Sequence, residues 1–354
     1  MELGGLPYEV GPIRPPSEAA SLLIRASRNC PWNKCEFCPT YKGTRFQRRP
    51  LEDVIQDIDA AAAFHGDAFG TAFLQDANSL VMKTDELVRV ISHVKKRFPS
   101  VRRVTSYARA RTVARKSLEE LRQLHEAGLS RLHIGLESGY DPLLNYMKKG
   151  VTSDLVIEGG RKVVESGISL CLYVVLGLGG RLKLAGEETW RNHALHTARV
   201  LNAVNPDYIR VRTLTIRQGM PLYDKLVSGQ FEESSDAEKV REELLLVQQL
   251  DAGSYFASDH STNILMDVRG QLSEDKRSML SIMERYLELS EQERLNFRLG
   301  TLFRYFGYEP HYRSFKDFFV PARREAVTAT IESLEHDQPG KPGQLVSELN
   351  RMLV

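Results

Sequence analysis

Three of the four cysteines stand within nine residues, in the run Arg28-Asn29-Cys30-Pro31-Trp32-Asn33-Lys34-Cys35-Glu36-Phe37-Cys38-Pro39. Thiolates this close on one loop reach three corners of an iron–sulfur cube, whereas structural [4Fe-4S] sites usually take four cysteines. One iron is then left without a protein ligand. The spacing C-x4-C-x2-C is not the paired C-x2-C pattern of zinc sites, and no Cys or His follows at a distance typical of a second pair. Taken alone, the triplet also admits a zinc knuckle or a loop of plain buried cysteines.

The loop must be carried by something, and the hydrophobic pattern supplies it. The run 21–26 reads as a strand that ends just before the cysteines. Leu51 to Phe64 has helical spacing, Gly70 to Leu74 reads as a second strand, and Thr84 to Phe98 as a helix with Leu87, Val88, Ile91 and Val94 on one face. A strand over Val101–Tyr107 and a helix over Ser117–Ala127, closed by Gly128, continue the cycle. It repeats with strand Arg131–Leu136, helix Ser153–Ser166, strand Leu170–Leu176, helix Glu187–Asn202 and strand Tyr208–Thr213. Such alternation is what a parallel α/β sheet with crossover helices requires. The short runs read as apolar throughout, as expected of strands covered on both faces. The cysteine loop follows the first strand, so it falls on the carboxyl-end face, where parallel barrels place their chemistry.

Around these cysteines the chain resembles the radical S-adenosylmethionine (SAM) superfamily, whose cluster loop reads C-x3-C-x-aromatic-C or a near variant; Phe37 is the matching aromatic. The first gap here is four residues, a departure also seen in the Elongator-catalytic-subunit-like branch. The segment Ile134-Gly135-Leu136-Glu137-Ser138-Gly139 with Lys148-Lys149-Gly150 resembles a motif shared by that branch and the coproporphyrinogen-dehydrogenase-like branch. The resemblance runs from about Leu22 to Gly229 and implies a partial (β/α)6 barrel with a [4Fe-4S] cluster on Cys30, Cys35 and Cys38. It implies SAM bound at the open iron and cleaved to a 5′-deoxyadenosyl radical that takes a hydrogen atom from substrate. It also implies an electron donor such as flavodoxin or ferredoxin. By the same resemblance Glu137 and Ser138 face the SAM amino acid or ribose, Lys149 pairs with its carboxylate, and Leu176-Gly177 lies against the adenine. Asp76 and Asn78, after the second strand, offer acceptors for the SAM ammonium, or are ordinary turn residues. Ser106 and Arg109, after the third, stand equally as carboxylate or ribose contacts and as loop packing. A transfer of the aminocarboxypropyl group of SAM is the rival chemistry.

The remaining features bound these expectations. A chain of 354 residues with 27% charged residues and a formal net charge of +2 carries no global field that demands nucleic acid or a membrane. Four cysteines suit a reducing compartment, no apolar stretch approaches the ~20 residues of a bilayer span, and a secretory signal is not evident, so the expected location is the cytoplasm. Cys171 reads as a core residue. Expected divisions are an N-terminal extension over 1–18, a core barrel over 19–230 and a mainly helical region over 231–354, with 336–343 polar and flexible. Within the last region His260 and Asn263, in a polar turn, are candidates for substrate contact, as is Arg212 after the sixth strand. Arg102, Arg103, Arg109, Arg111, Arg115 and Lys116 form a basic segment that suits RNA phosphate or a carboxylated small molecule, or a solvated face.

Overall fold

The computed structural model describes residues 5–353. The chain forms two compact units, one from Met1–Tyr173 with Val200–Tyr208 and the other from Val174–Arg199 with Ile209–Val354. The class is α/β with a predominantly parallel sheet.

In the first unit, β1 (Leu22–Arg25), β2 (Thr71–Gln75), β3 (Arg103–Ala108) and β4 (Leu129–Glu137) lie side by side in chain order. All three pairings are parallel, in the registers Leu23↔Phe73, Phe73↔Thr105 and Tyr107↔His133. Parallel neighbours need a crossover, here supplied by α1 (Leu51–His65), α2 (Thr84–Arg97), and the pair α3 (Ala110–Arg115) and α4 (Leu118–Ala127). After β4 come α5 (Asp141–Tyr146), α6 (Ser153–Glu165) and β5 (Ser169–Leu176); α7 (Thr189–Val204), β6 (Tyr208–Thr213) and α8 (Pro221–Val227) complete six strand-then-helix steps. The helices start where local chemistry allows. Ser117 Oγ accepts from Glu120 N while Glu120 reaches back to Ser117 N, a reciprocal cap that satisfies two otherwise unpaired amides.

One expectation is corrected. The strands are not apolar on both faces. Leu22, Ile24, Ala72, Leu74, Val104, Leu132, Ile134, Leu170 and Leu172 are buried, but residues between them point the other way, since strand side chains alternate. That second face carries Arg25, Arg103, Tyr107, Arg131, Gly135, Glu137 and Tyr173, all half-buried. One side of the sheet is thus apolar and the other mixed, with Phe73, Thr105, His133 and Cys171 buried among these half-buried residues.

The second unit contains α9 (Asp236–Gln249), the antiparallel hairpin β7 (Tyr255–Ala257) and β8 (Arg269–Gln271), then α10 (Leu272–Glu288), α11 (Glu291–Tyr305), α12 (Pro321–Asp337) and α13 (Lys341–Met352). Tyr286, Phe297, Tyr312, Phe315 and Phe318 form its aromatic core, with Phe297 and Phe315 centroids 5.1 Å apart edge to face. The helical character expected after residue 231 is present, the hairpin being an addition. The segment 336–343 is the end of α12, a tight turn and the start of α13, rather than a loose stretch. Among the described residues no helix is long and apolar enough to cross a membrane.

Candidate functional site

The cysteine loop leaves β1 and is fastened at its start. Asn29 N donates to Asp76 Oδ2 at 2.8 Å, and Arg25 grips that same oxygen through Nη2 at 2.6 Å and Nε at 3.0 Å. Arg25 in turn pairs with Glu9 at 2.8 Å, which also pairs with Arg28 at 2.6 Å. Asn29 and Asn33 turn the loop with φ of 65° and 48°, a left-handed conformation that asparagine tolerates. Cys30, Cys35 and Cys38 are half-buried free thiols.

Further along, the loop lies on the turn after α5. Glu36 N donates to Met147 O at 3.0 Å, Lys148 Nζ meets Glu36 Oε1 at 2.5 Å, and Trp32 Nε1 donates to Lys148 O at 2.7 Å. Gly150 is required there: a methyl built on it would stand 2.2 Å from the Trp32 ring. Arg109 lies over the same indole, its Cζ 5.2 Å from the centroid, and donates to Lys149 O at 3.3 Å.

Glu137 ends β4 with φ of 63°, a strained value for a residue with a Cβ and one that is enriched at functional positions. Its Oε1 accepts from Lys149 Nζ at 2.7 Å. The pair rests on Gly135, where an added methyl would sit 2.0 Å from Glu137 Oε1 and 2.8 Å from Lys149 Nζ. Gly135→Ala is therefore expected to force the pair apart and to cost about 1–2 kcal/mol, measurable as a lower melting temperature. Lys149 Nζ is 5.8 Å from the Phe37 centroid.

The electrostatics tie pair and loop together. Burial raises the Cys35 pKa, Lys149 opposes that, and Cys38, Glu137 and Cys30 add to the rise. Burial pulls Arg109 down against Cys30 and Cys35, whereas for Lys149 the same pull is outweighed by Glu137 and Cys35, so its pKa is raised. Lys149 and Arg109 thus stand as two cations beside the three cysteines, charges that would offset thiolates bound to a metal. Among the described residues no three His, Cys, Asp or Glu side chains converge to hold one metal ion. A cube does not ask for that, because each thiolate binds a different iron. Three soft donors on one loop, flanked by cations and without a fourth cysteine nearby, fit a partly ligated cluster.

The other expected contacts divide. Asp76 is buried and holds the loop entry through Oδ2, while its Oδ1 is buried with no hydrogen-bond partner. Burial raises its pKa against the hydrogen bonds from Asn29 and Arg25. Asn78 and Ser106 are committed internally. Asn78 Nδ2 donates to Thr112 Oγ1 at 2.8 Å and its Oδ1 accepts from Arg109 N at 3.2 Å; Ser106 Oγ donates to Leu74 O at 2.8 Å and meets Ser79 Oγ. Both brace strand ends through these bonds. Ser138 is buried, its Oγ accepting from Tyr140 N at 3.0 Å. Of the basic segment, Arg103 pairs with Glu18 at 3.1 Å, Lys116 donates to Thr84 Oγ1 at 2.8 Å and Arg109 lies on Trp32; Arg102, Arg111 and Arg115 are exposed. The segment is not one continuous basic face.

One layer escaped sequence reading. On the same side of the sheet as Gly135, Tyr173 Oη lies 3.3 Å from His133 Nδ1, and His133 Nε2 is 3.6 Å from Glu18 Oε1. Burial raises the Glu18 pKa, but hydrogen bonds from His133 and Ser21 and the charge of Arg103 outweigh it and lower the value. Phe73 and Tyr107 complete the layer, edge to face at 5.0 Å. The usable signal was alternation: Tyr107, His133 and Tyr173 occupy one side of three successive strands.

In the second unit, Leu176 is buried, and Gly177, at φ of 73°, donates its N–H to Glu242 Oε1 at 2.7 Å. His193 Nε2 lies 3.3 Å from that oxygen. Burial pushes the adjacent Glu243 up to about 8, against a hydrogen bond to Ser258 and with a further push from Glu242. Between its ordinary 4.5 and about 8 the folded state keeps a proton that the unfolded chain has lost, so this residue makes stability fall as pH rises through that window. Glu243→Gln is expected to flatten the fall by on the order of 2 kcal/mol between pH 5 and pH 8, read from melting temperatures of both proteins across that range. Asn263 is buried and ties the polar turn to β6, accepting from Thr213 N at 2.7 Å and donating to Val211 O at 2.9 Å. His260 is half-buried and Arg212 exposed.

Residues 24–182 match the family model described as the Radical SAM superfamily. A comparison with curated proteins gave no match. Among solved structures, the radical S-adenosylmethionine methyltransferase TsrM from Kitasatospora setae, with cobalamin and [4Fe-4S] cluster bound, is 19% identical with a TM-score of 0.46, over 58% of this chain and 39% of that one. Methylornithine synthase (PylB) is 17% identical with a TM-score of 0.45, over 64% and 62%. The archaeal Methanocaldococcus infernus Elp3 is 12% identical with a TM-score of 0.44, over 67% and 57%. This chain spans less than two thirds of each of these three. The stretch similar to the Radical SAM superfamily, 24–182, contains Cys30, Cys35 and Cys38 together with Glu137 and Lys149.

Proposed function

We propose that the chain is a radical SAM enzyme, and the observation that carries this is the cysteine loop bolted to the Met147–Gly150 turn beside the Glu137–Lys149 pair. When bound, a [4Fe-4S] cluster and SAM supply reductive cleavage to methionine and a 5′-deoxyadenosyl radical, which abstracts a hydrogen atom from substrate. Cys30, Cys35 and Cys38 hold three irons. Lys149 and Arg109 offset the thiolate charge, and Glu137 and Lys149 orient the SAM amino acid by charge complementarity. Asp76 positions the loop through Asn29, and Phe37 covers the Lys149 ammonium. The Gly135–Gly139 and Lys148–Gly150 segments favour the Elongator-catalytic-subunit-like or coproporphyrinogen-dehydrogenase-like branch.

Residues 19–230 are the proposed core and 231–354 its extension, working in a cytoplasm with a low-potential donor such as flavodoxin or ferredoxin. The division of the basic segment between internal partners and scattered exposed arginines favours a small-molecule substrate over RNA. The test is anaerobic reconstitution, iron and sulfide analysis, and mass spectrometry of SAM fragments after chemical reduction. Near-stoichiometric cluster and 5′-deoxyadenosine are expected. Zinc in place of iron, or fragments derived from the aminocarboxypropyl group without 5′-deoxyadenosine, would overturn the reading.

A further inference from the structure

The second unit holds a group of side chains that the cluster chemistry does not use. Along β6, buried Ile209, Val211 and Thr213 alternate with half-buried Arg210 and exposed Arg212, so both guanidinium groups leave the strand on the same side. The turn over 258–263 is fixed beside this strand by Asn263, whose Nδ2 also donates to Ser258 Oγ at 3.1 Å. Buried Arg298 locks it further, donating to Asn263 O at 3.1 Å and Thr262 O at 3.3 Å. On that turn, Asp259 Oδ1 meets Arg210 Nη1 at 3.2 Å. Arg212 has no hydrogen-bond or ion-pair partner among the described residues.

His260 has a defined tautomer. Thr262 N donates to its Nδ1 at 3.2 Å, and Thr262 Oγ1 lies 2.8 Å from the same atom. A backbone amide can only donate, so Nδ1 is an acceptor and the proton of the neutral ring sits on Nε2. The ring stays neutral because burial, then Arg212 and Arg210, hold its pKa down to about 4.

We propose that Arg210, Arg212 and the Nε2–H of His260 form an oxyanion-binding site that takes a carboxylate or phosphate group of a ligand. Among the described residues Asp259 is the acid paired with either guanidinium, through Arg210, so the two arginines and that acid sum to a net positive charge. Arginine forks match carboxylate and phosphate oxygens in two-point contacts. The turn is already locked by Asn263 and Arg298, so little ordering is left for binding to oppose.

The site needs no metal, so its test is independent of the cluster reading. The full-length metal-free chain, labelled with 15N-histidine, is titrated with inorganic phosphate and, separately, with acetate at constant ionic strength. A saturable shift of His260 Nε2 is expected, and the tighter anion names the ligand class. Arg212→Gln and Arg210→Gln are each expected to weaken binding by ~10-fold or more, while Arg102→Gln, an exposed arginine of the first unit, leaves it unchanged. Arg212 is exposed, so its replacement does not disturb folding. No saturable shift with either anion up to roughly 100 mM, or an equal loss for Arg102→Gln, would overturn the proposal.

Discussion

Serine in place of Cys35 is expected to strip the reconstituted protein of most of its iron and to lower 5′-deoxyadenosine formation by more than ~100-fold, since even the partners that merely orient metal ligands cost ~10–100-fold when removed. The thiolate is the ligand, and an alcohol in the same place does not ionise at neutral pH. Burial already opposes ionisation of Cys35, with Lys149 as the countering charge. A hydroxyl there leaves Lys149 with one fewer anionic partner and one iron without a donor. Cys30→Ser and Cys38→Ser should behave alike. Cys171→Ala, at a position buried in β5 with 1% exposure, should leave iron content unchanged. A Cys35→Ser protein that keeps full iron and turnover would show that the metal is held elsewhere.

Glu137→Ala should weaken SAM binding about tenfold, or ~1.4 kcal/mol, and should also destabilise the apoprotein by about 1–3 kcal/mol, because an ammonium that burial disfavours loses its hydrogen-bonded partner. The two effects separate in the double variant Glu137→Ala with Lys149→Met. Removing both charges should restore much of the stability, since a buried pair replaced as a whole is tolerated better than one broken in half. It should not restore affinity if the pair addresses the amino acid end of SAM. Calorimetric binding and thermal melts on the two variants and the unaltered protein give the answer, and recovery of affinity in the double variant would reduce the pair to a structural brace.

Much of the architecture is legible in the sequence because it rests on local patterns. The strands before the cysteines and before Glu137, and helices such as Leu51–His65 and Glu291–Tyr305, follow from periodicity and from caps such as Ser290 with Glu293. The cysteines and the Glu137 and Lys149 motif are legible because their types and spacing are unusual. What escaped depends on contacts distant in the chain. Short helices such as Ala110–Arg115 and Asp141–Tyr146 are below the length at which a periodic stripe can declare itself. The bonds of Asn78 and of Asp76 Oδ2 are not legible in the sequence because Arg25, Asn29, Thr112 and Arg109, which make them, lie between 31 and 51 positions away. The His133 layer was missed because three strands with aromatic residues read as apolar on both sides, whereas Tyr107, His133 and Tyr173 are amphipathic groups gathered on one of them.

Trp32 is one of only two tryptophans in the chain. It sits two residues from the first cysteine, with its indole tied to Lys148 and covered by Arg109 and Gly150. A rearrangement of the thiol loop on binding the proposed cluster would therefore change the surroundings of this ring. The protein carries its own optical gauge for that event, an intrinsic emission that senses the loop and its docking surface at once.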